Sequence, residues 1–243
     1  MKTKIWLSLF LLFLLFHLPG ITSAQAQHLE VNDVVLNVAS TKILSNTIRL
    51  NESQNTVDLK SIKGSPYEND EFLMGRAMSD NLNISNPYFM RYNIYNDVIE
   101  IKDKEQSVEM SKSSDVYALI NDREYHYESY SDESGKLKKG YFILLYKGEQ
   151  LALYARKTQR YKDVVKAKTS YHQDVPAAFV DSKDYSMKKE GKMEFLSRSK
   201  KELTRQFPSL EAKLKSYIKT NRINVNDDAD MIRLFAYIDQ ELK

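Results

Sequence analysis

Between residues 72 and 159 the chain is a succession of short apolar and aromatic runs, each closed by a turn cluster. No interval between them carries ten residues of helical period. That pattern constrains the fold more than any other feature. Parallel strands need crossovers of a dozen or more residues, usually helical, and none is available here. The runs are therefore predicted to pair antiparallel, as a meander. One begins at Phe72-Leu73-Met74-Gly75; the others are 89–95, 98–102, 107–110, 116–120, 123–130, 140–146 and 151–159. Gly64-Ser65-Pro66, the Ser-Asp-Glu-Ser-Gly cluster at 131–135 and Lys147-Gly148-Glu149-Gln150 read as turns.

The texture changes after residue 184. Met193, Leu196, Leu203 and Phe207 recur at near-helical spacing among lysines, and Pro208 suits the first turn of a second helix with the stripe Leu210, Leu214, Tyr217 and Ile218. A third helix is predicted from about Asn226. Asp227, Asp228 and Asp230 lie at its start, where the helix dipole favours negative charge, and Met231, Leu234, Phe235, Ile238 and Leu242 keep the i, i+3, i+4 rhythm. Strands followed by helices make an α+β fold: an antiparallel β-meander, as a curved sheet or half-barrel, then a C-terminal helical region of two to three helices. Residues 27–183 read as the β domain, with 161–184 a connector, and 184–243 as helices packed on or beside the sheet. Residues 29–63 read as one or two weak strands or an irregular lead-in.

Lys2 and Lys4 precede an apolar run from Ile5 to Leu18, then Pro19-Gly20 and the small-x-small triplet Ala24-Gln25-Ala26. Charged start, short apolar run and cleavage signal together predict a secretory signal peptide over 1–26. The run is shorter than the ~20 residues a membrane span needs. The chain has no cysteine, which excludes a lipoprotein anchor, disulfides, thiolate nucleophiles and cysteine metal sites. The expectation is an exported protein, periplasmic or extracellular, with no transmembrane segment after cleavage. A remainder of about 217 residues buries roughly 70% of its unfolded surface and needs no staples.

Chemistry-bearing motifs are few. Beyond the leader only His28, His126 and His172 remain. Glu124, His126 and Glu128 alternate, so a strand would place all three on one side, as candidate metal ligands. Same-face neighbours on one strand lie ~7 Å apart, too far for all three to hold one ion unaided. A polar solvent face, with Tyr125 and Tyr127 turned inward, is the competing reading. There is no Gly-x-Ser-x-Gly elbow and no glycine-rich phosphate loop, and Gly64-Ser65-Pro66 lacks a base beside it. Scattered Asp and Glu leave a carboxylate-dependent hydrolase as an alternative without a specific signal. No metal and no cofactor is expected. The Asn51-Glu52-Ser53 and Asn83-Ile84-Ser85 sequons read as chance matches in a bacterial-looking composition.

Charge is more informative. Residues 186–224 hold 11 Lys and Arg against 4 Glu, and residues 225–243 hold 5 acidic residues against 2 basic. An exported protein rarely meets nucleic acid, so the basic segment is expected to be a solvated helix face, to touch an anionic membrane peripherally, or to meet an acidic protein partner.

In the stretch 87–103, Met90, Tyr92 and Ile94 fall on one parity and Ile99 and Ile101 on the other, so the apolar phase flips across Asn96-Asp97. This predicts a hairpin in which Arg91 and Asn93 face away from Met90 and Tyr92. On a solvent face Arg91 would pair with Glu100; a buried, converging Arg91 and Asn93 would instead favour a site.

Gly64-Ser65-Pro66-Tyr67, Gly75, Arg91-Tyr92-Asn93, Asn96-Asp97, Glu100 and Phe207-Pro208 with the two helices behind it resemble an uncharacterised family of exported proteins of Bacteroidetes-type bacteria. The resemblance covers about residues 63–240, departs at Arg76-Ala77 and implies no activity. Tyr67, Arg91, Tyr92, Asn93 and Tyr125 are the ligand or partner candidates. The expected function is a non-catalytic envelope protein, a binding or assembly module for a protein, glycan or lipid partner. The alternatives are the hydrolase and an apolar-ligand carrier, the latter with Tyr92, Tyr125 and Phe142 lining one concave face.

Overall fold

A computed structural model describes residues 47–48, 57–58, 62–79, 87–104, 106–132, 134–169, 171 and 173–243. The segment 1–26 read as a signal peptide, most of the lead-in, both sequons, His28 and His172 lie outside the described residues. Within the lead-in, β1 (Thr47–Ile48) pairs antiparallel with β2 (Val57–Asp58).

The other strands form one open antiparallel sheet of ten. They are β3 (Leu73–Met78), β4 (Tyr88–Asn93), β5 (Val98–Asp103), β6 (Gln106–Glu109), β7 (Tyr117–Ile120), β8 (Arg123–Ser131), β9 (Leu137–Lys147), β10 (Leu151–Lys162), β11 (Ala178–Lys189) and β12 (Lys192–Phe195). The spatial order is β12-β11-β10-β9-β8-β7-β3-β4-β5-β6. The meander thus has one break: after β6 the chain returns past three strands, and β7 pairs with β3 from Gly75↔Ile120 to Met78↔Tyr117. Met110 and Val116, at the ends of that return, are buried against the sheet.

The hairpin predicted from the phase flip is present. Met90 lies opposite Ile101 and Tyr92 opposite Ile99, and all four are buried in one cluster with Ala118, Ile120, Tyr125, Tyr141 and Ile143. Asp97, at φ +53°, makes the turn, as an Asp tolerates the left-handed region better than most residues.

Two expectations are corrected. Residues 161–184 are not a connector: β10 runs on to Lys162 and pairs along its whole length with β11, and the 183/184 boundary falls inside β11. Met193 and Leu196 are not a helical stripe, because β12 pairs with β11 through Met193↔Lys188 and Phe195↔Ser186. Spacing alone does not separate a four-residue strand from a helical turn. The sheet curls until β12 meets β8, where Tyr130 and Phe195 lie edge to face at 5.6 Å and Lys188 bonds Glu128 at 2.6 Å.

The helices are α1 (Lys200–Arg205), a 3₁₀ turn at Pro208–Leu210, α2 (Glu211–Thr220) and α3 (Asp228–Glu241). Asp227 caps α3 by accepting from the Asp230 amide at 3.0 Å. Met231, Leu234, Phe235 and Ile238 are fully buried against Leu153, Ala155, Tyr185 and Met187 of the sheet. No helix among the described residues is long and apolar enough to cross a membrane.

A strap at 62–68 lies across the two halves. Lys63 bridges Ala178 at the start of β11, and Tyr67 bridges Asn93 at the end of β4. The Lys63 amide donates to the Ala177 carbonyl at 2.8 Å and that of Ile94 to the Pro66 carbonyl at 2.8 Å. The Gly-Ser-Pro turn predicted there is real: Gly64 sits at φ +90°, where a side chain is strained.

Candidate functional site

The strap decides the fate of the Arg91 face. It covers that side of the β4–β5 hairpin, so Arg91 and Asn93 do not face solvent. They do converge, but on Glu100. Arg91 Nε donates to Glu100 Oε2 at 2.8 Å, Asn93 Nδ2 to Glu100 Oε1 at 3.0 Å, and the Glu100 side chain is wholly buried. The guanidinium carbon lies 3.5 Å from the Tyr67 ring centre and 4.2 Å from that of Phe72, held between both rings as a planar cation can be. The remaining Asn93 oxygen accepts the Asn96 amide at 3.0 Å. The convergence that would signal a site is present, yet every polar arm is used inside the fold.

On the hairpin's other face Tyr92 and Tyr125 do come together, with ring centres 5.4 Å apart. Tyr125 donates to Glu68 of the strap at 2.6 Å, and Glu68 also takes Arg123 at 2.8 Å and the Lys157 ammonium. Tyr92 donates to Asp97 at 2.8 Å. Burial first, and then the neighbouring carboxylate, pushes both phenols well above their ordinary pKa, so they act as hydrogen-bond donors. Asp97 does a second task. β9 and β10 pair only where 143–147 meets 152–155, and beyond that point Asp97 accepts the Tyr141 amide at 3.1 Å. The hairpin turn thus fills a gap in the ladder, and two carboxylates missed as a pair in the sequence, Glu68 and Asp97, serve as joints.

Glu124, His126 and Glu128 share a face as predicted but do not gather. His126 bonds Glu124 at 2.8 Å and stacks on Tyr117 at 4.6 Å, while Glu128 is taken by Lys188. All three are half-buried rather than solvent-facing. Among the described residues no group of three His, Asp or Glu side chains is placed to hold a metal ion. Phe142 lies on the sheet face opposite Tyr92 and Tyr125, with Tyr130 and Tyr154, so the three do not line one concave surface.

An open concavity lies elsewhere among the described residues. A groove of about 550 Å³ runs between α1 and α2. Lys200 and Lys201 form one wall, Lys215 and Lys219, one helical turn apart, form the other, and Arg222 closes the end. Thr204 and Ile218 line it as well, and no carboxylate does. Glu211 reaches Lys215 from the turn before, outside the lining. The charge excess of 186–224 was legible in sequence; that it surrounds a hollow was not.

No protein-family model, curated protein or solved structure matches the chain.

Proposed function

We propose that the protein is an exported, non-catalytic binding module of the cell envelope that docks an anionic partner, in the first place an anionic membrane surface, through its basic helical region 186–224. The observation that carries this reading is the clustering of Lys200, Lys201, Lys215, Lys219 and Arg222 around one groove without a carboxylate in its walls. A concavity lined by one sign of charge concentrates field and recruits the opposite charge. The contact is peripheral, because the apolar stripes of α2 and α3 are buried in the core that the helices share with the sheet. The sheet's own polar clusters support the non-catalytic reading: the functional groups of Arg91, Asn93 and Glu100 are bound to one another rather than offered to a ligand.

Vesicle flotation tests it. The purified protein is expected to rise with vesicles containing anionic lipid at low salt, to stay down with zwitterionic vesicles, and to be released at about 1 M salt, where the Debye length falls to roughly 3 Å. Absence of salt-sensitive binding to anionic vesicles overturns the membrane reading.

A further inference from the structure

The α2 end of the groove has a backbone feature that charge alone does not account for. Arg222 sits at φ +51°, in the left-handed position that closes a helix, where glycine is the usual occupant. The closure is complete: the Ile223 amide donates back to the Ile218 carbonyl at 3.0 Å and the Arg222 amide to the Lys219 carbonyl at 3.3 Å. Ile218 and Ile223 are both buried beneath it. A glycine would meet every backbone demand here with less strain. What arginine adds is a fifth cationic residue in the lining of a groove that Lys200, Lys201, Lys215 and Lys219 also line, Lys215 being paired with Glu211. Positive φ also occurs at Lys104 and Glu190, so it is the position of Arg222 among the four lysines of the groove lining that bears on a ligand.

We infer that the groove formed by Lys200, Lys201, Lys215, Lys219 and Arg222 is a discrete site for a phosphate-bearing ligand of more than one negative charge. This rests on the anionic-partner reading and narrows it from a charged face to one site. Arginine supplies planar paired donors suited to phosphate oxygens, and lysines supply point charges around it. The volume falls within the range of small-molecule sites, roughly 300–1,000 Å³, so the phosphate is one carried on a larger group or joined to another phosphate. Ile218 leaves an apolar strip in the lining. The Thr204 hydroxyl is already spent on the Lys201 carbonyl at 2.9 Å, which leaves recognition to the cations.

Titration calorimetry with inorganic pyrophosphate probes the soluble form of this chemistry, and flotation with phosphatidic acid against phosphatidylglycerol at equal vesicle charge probes the lipid form. Arg222→Gly is the informative variant, because it removes the guanidinium while keeping the backbone conformation. Combined with Lys219→Gln it is expected to weaken binding at least tenfold without lowering the melting temperature. Lys189→Gln with Lys192→Gln, exposed and outside the groove, removes the same charge and is expected to change binding less than twofold. Saturable one-to-one binding of pyrophosphate, or a preference for phosphatidic acid, lost with the first pair only, supports the site and names its source. Equal weakening by both pairs overturns the site while leaving the membrane reading in place. No saturable binding in either arm also overturns it.

Discussion

The Asp239 carboxylate fills the space that a side-chain carbon on Gly148 would need. From there it accepts the amides of Glu149, Gln150 and Leu151 at 3.0, 2.8 and 3.2 Å. The last turn of α3 is thereby fastened to the β9–β10 loop by one residue, and Tyr146 reaches the same carboxylate at 3.5 Å.

Gly148→Ala is expected to destabilise the protein by about 1–3 kcal/mol, the usual cost of forcing atoms into a filled space. Asp239→Ala is expected to cost a similar amount by leaving the loop amides without an acceptor. Thermal melts check both, as 1 kcal/mol shifts the midpoint by about 2–4 °C in a chain of this size.

Burial works against ionisation of Asp239, but the three amide donors prevail and hold its pKa below the ordinary carboxylate value. A depressed folded-state pKa stabilises above the unfolded value, about 3.9, and that contribution is lost as pH falls through the folded value. The stability gap between wild type and Asp239→Asn is therefore expected to be constant from pH 7 to 5 and to shrink below about pH 4. A gap that widens in acid contradicts the assignment.

Arg91→Ala is expected to cost about 3–5 kcal/mol, because it strands the fully buried Glu100 charge. Arg91→Met with Glu100→Leu removes both charges and is expected to recover much of that loss. Arg91→Lys is expected to fall short of wild type, since an ammonium does not stack between the Tyr67 and Phe72 rings as a guanidinium does. Denaturant unfolding of the four proteins separates these outcomes.

Glu68→Gln keeps the shape of the strap's anchor but removes the charge shared by Arg123 and Lys157. Hydrogen exchange is expected to quicken at the strap amides of Lys63 and Glu68 while the α3 amides stay protected. Uniform quickening through α3 would show that the strap is not a separate opening unit.

What was legible in the sequence was local. The β4–β5 hairpin could be read because the parity of Met90 and Tyr92 against Ile99 and Ile101 depends only on the turn between them. The third helix could be read because its whole buried stripe lies within twelve consecutive residues. β11 escaped because Phe179, Tyr185 and Met187 are spread among Asp181, Lys183, Asp184 and Ser186, so that its apolar side is thin. Pairing of β7 with β3, and of the strap with β4 and β11, rests on partners far apart in the chain and leaves no local mark. For the same reason the sequence offered Arg91 and Asn93 to solvent, when a remote segment covers them. The groove's charge was visible as composition, whereas its hollow depends on how α1 and α2 meet.

The strap has a consequence in time as well as in space. It precedes all ten strands of the large sheet, yet its far bridge requires Ala178, at the start of the penultimate strand. A chain that folds as it emerges can seat the Tyr67 end on β4 early but holds the Lys63 end unseated until nearly the whole sheet exists, and contacts of such long sequence separation are the slow ones to form. Arg91 and Glu100 gain their cover early, from Tyr67 and Phe72, and seating Lys63 on β11 is the later step that marks the sheet as finished.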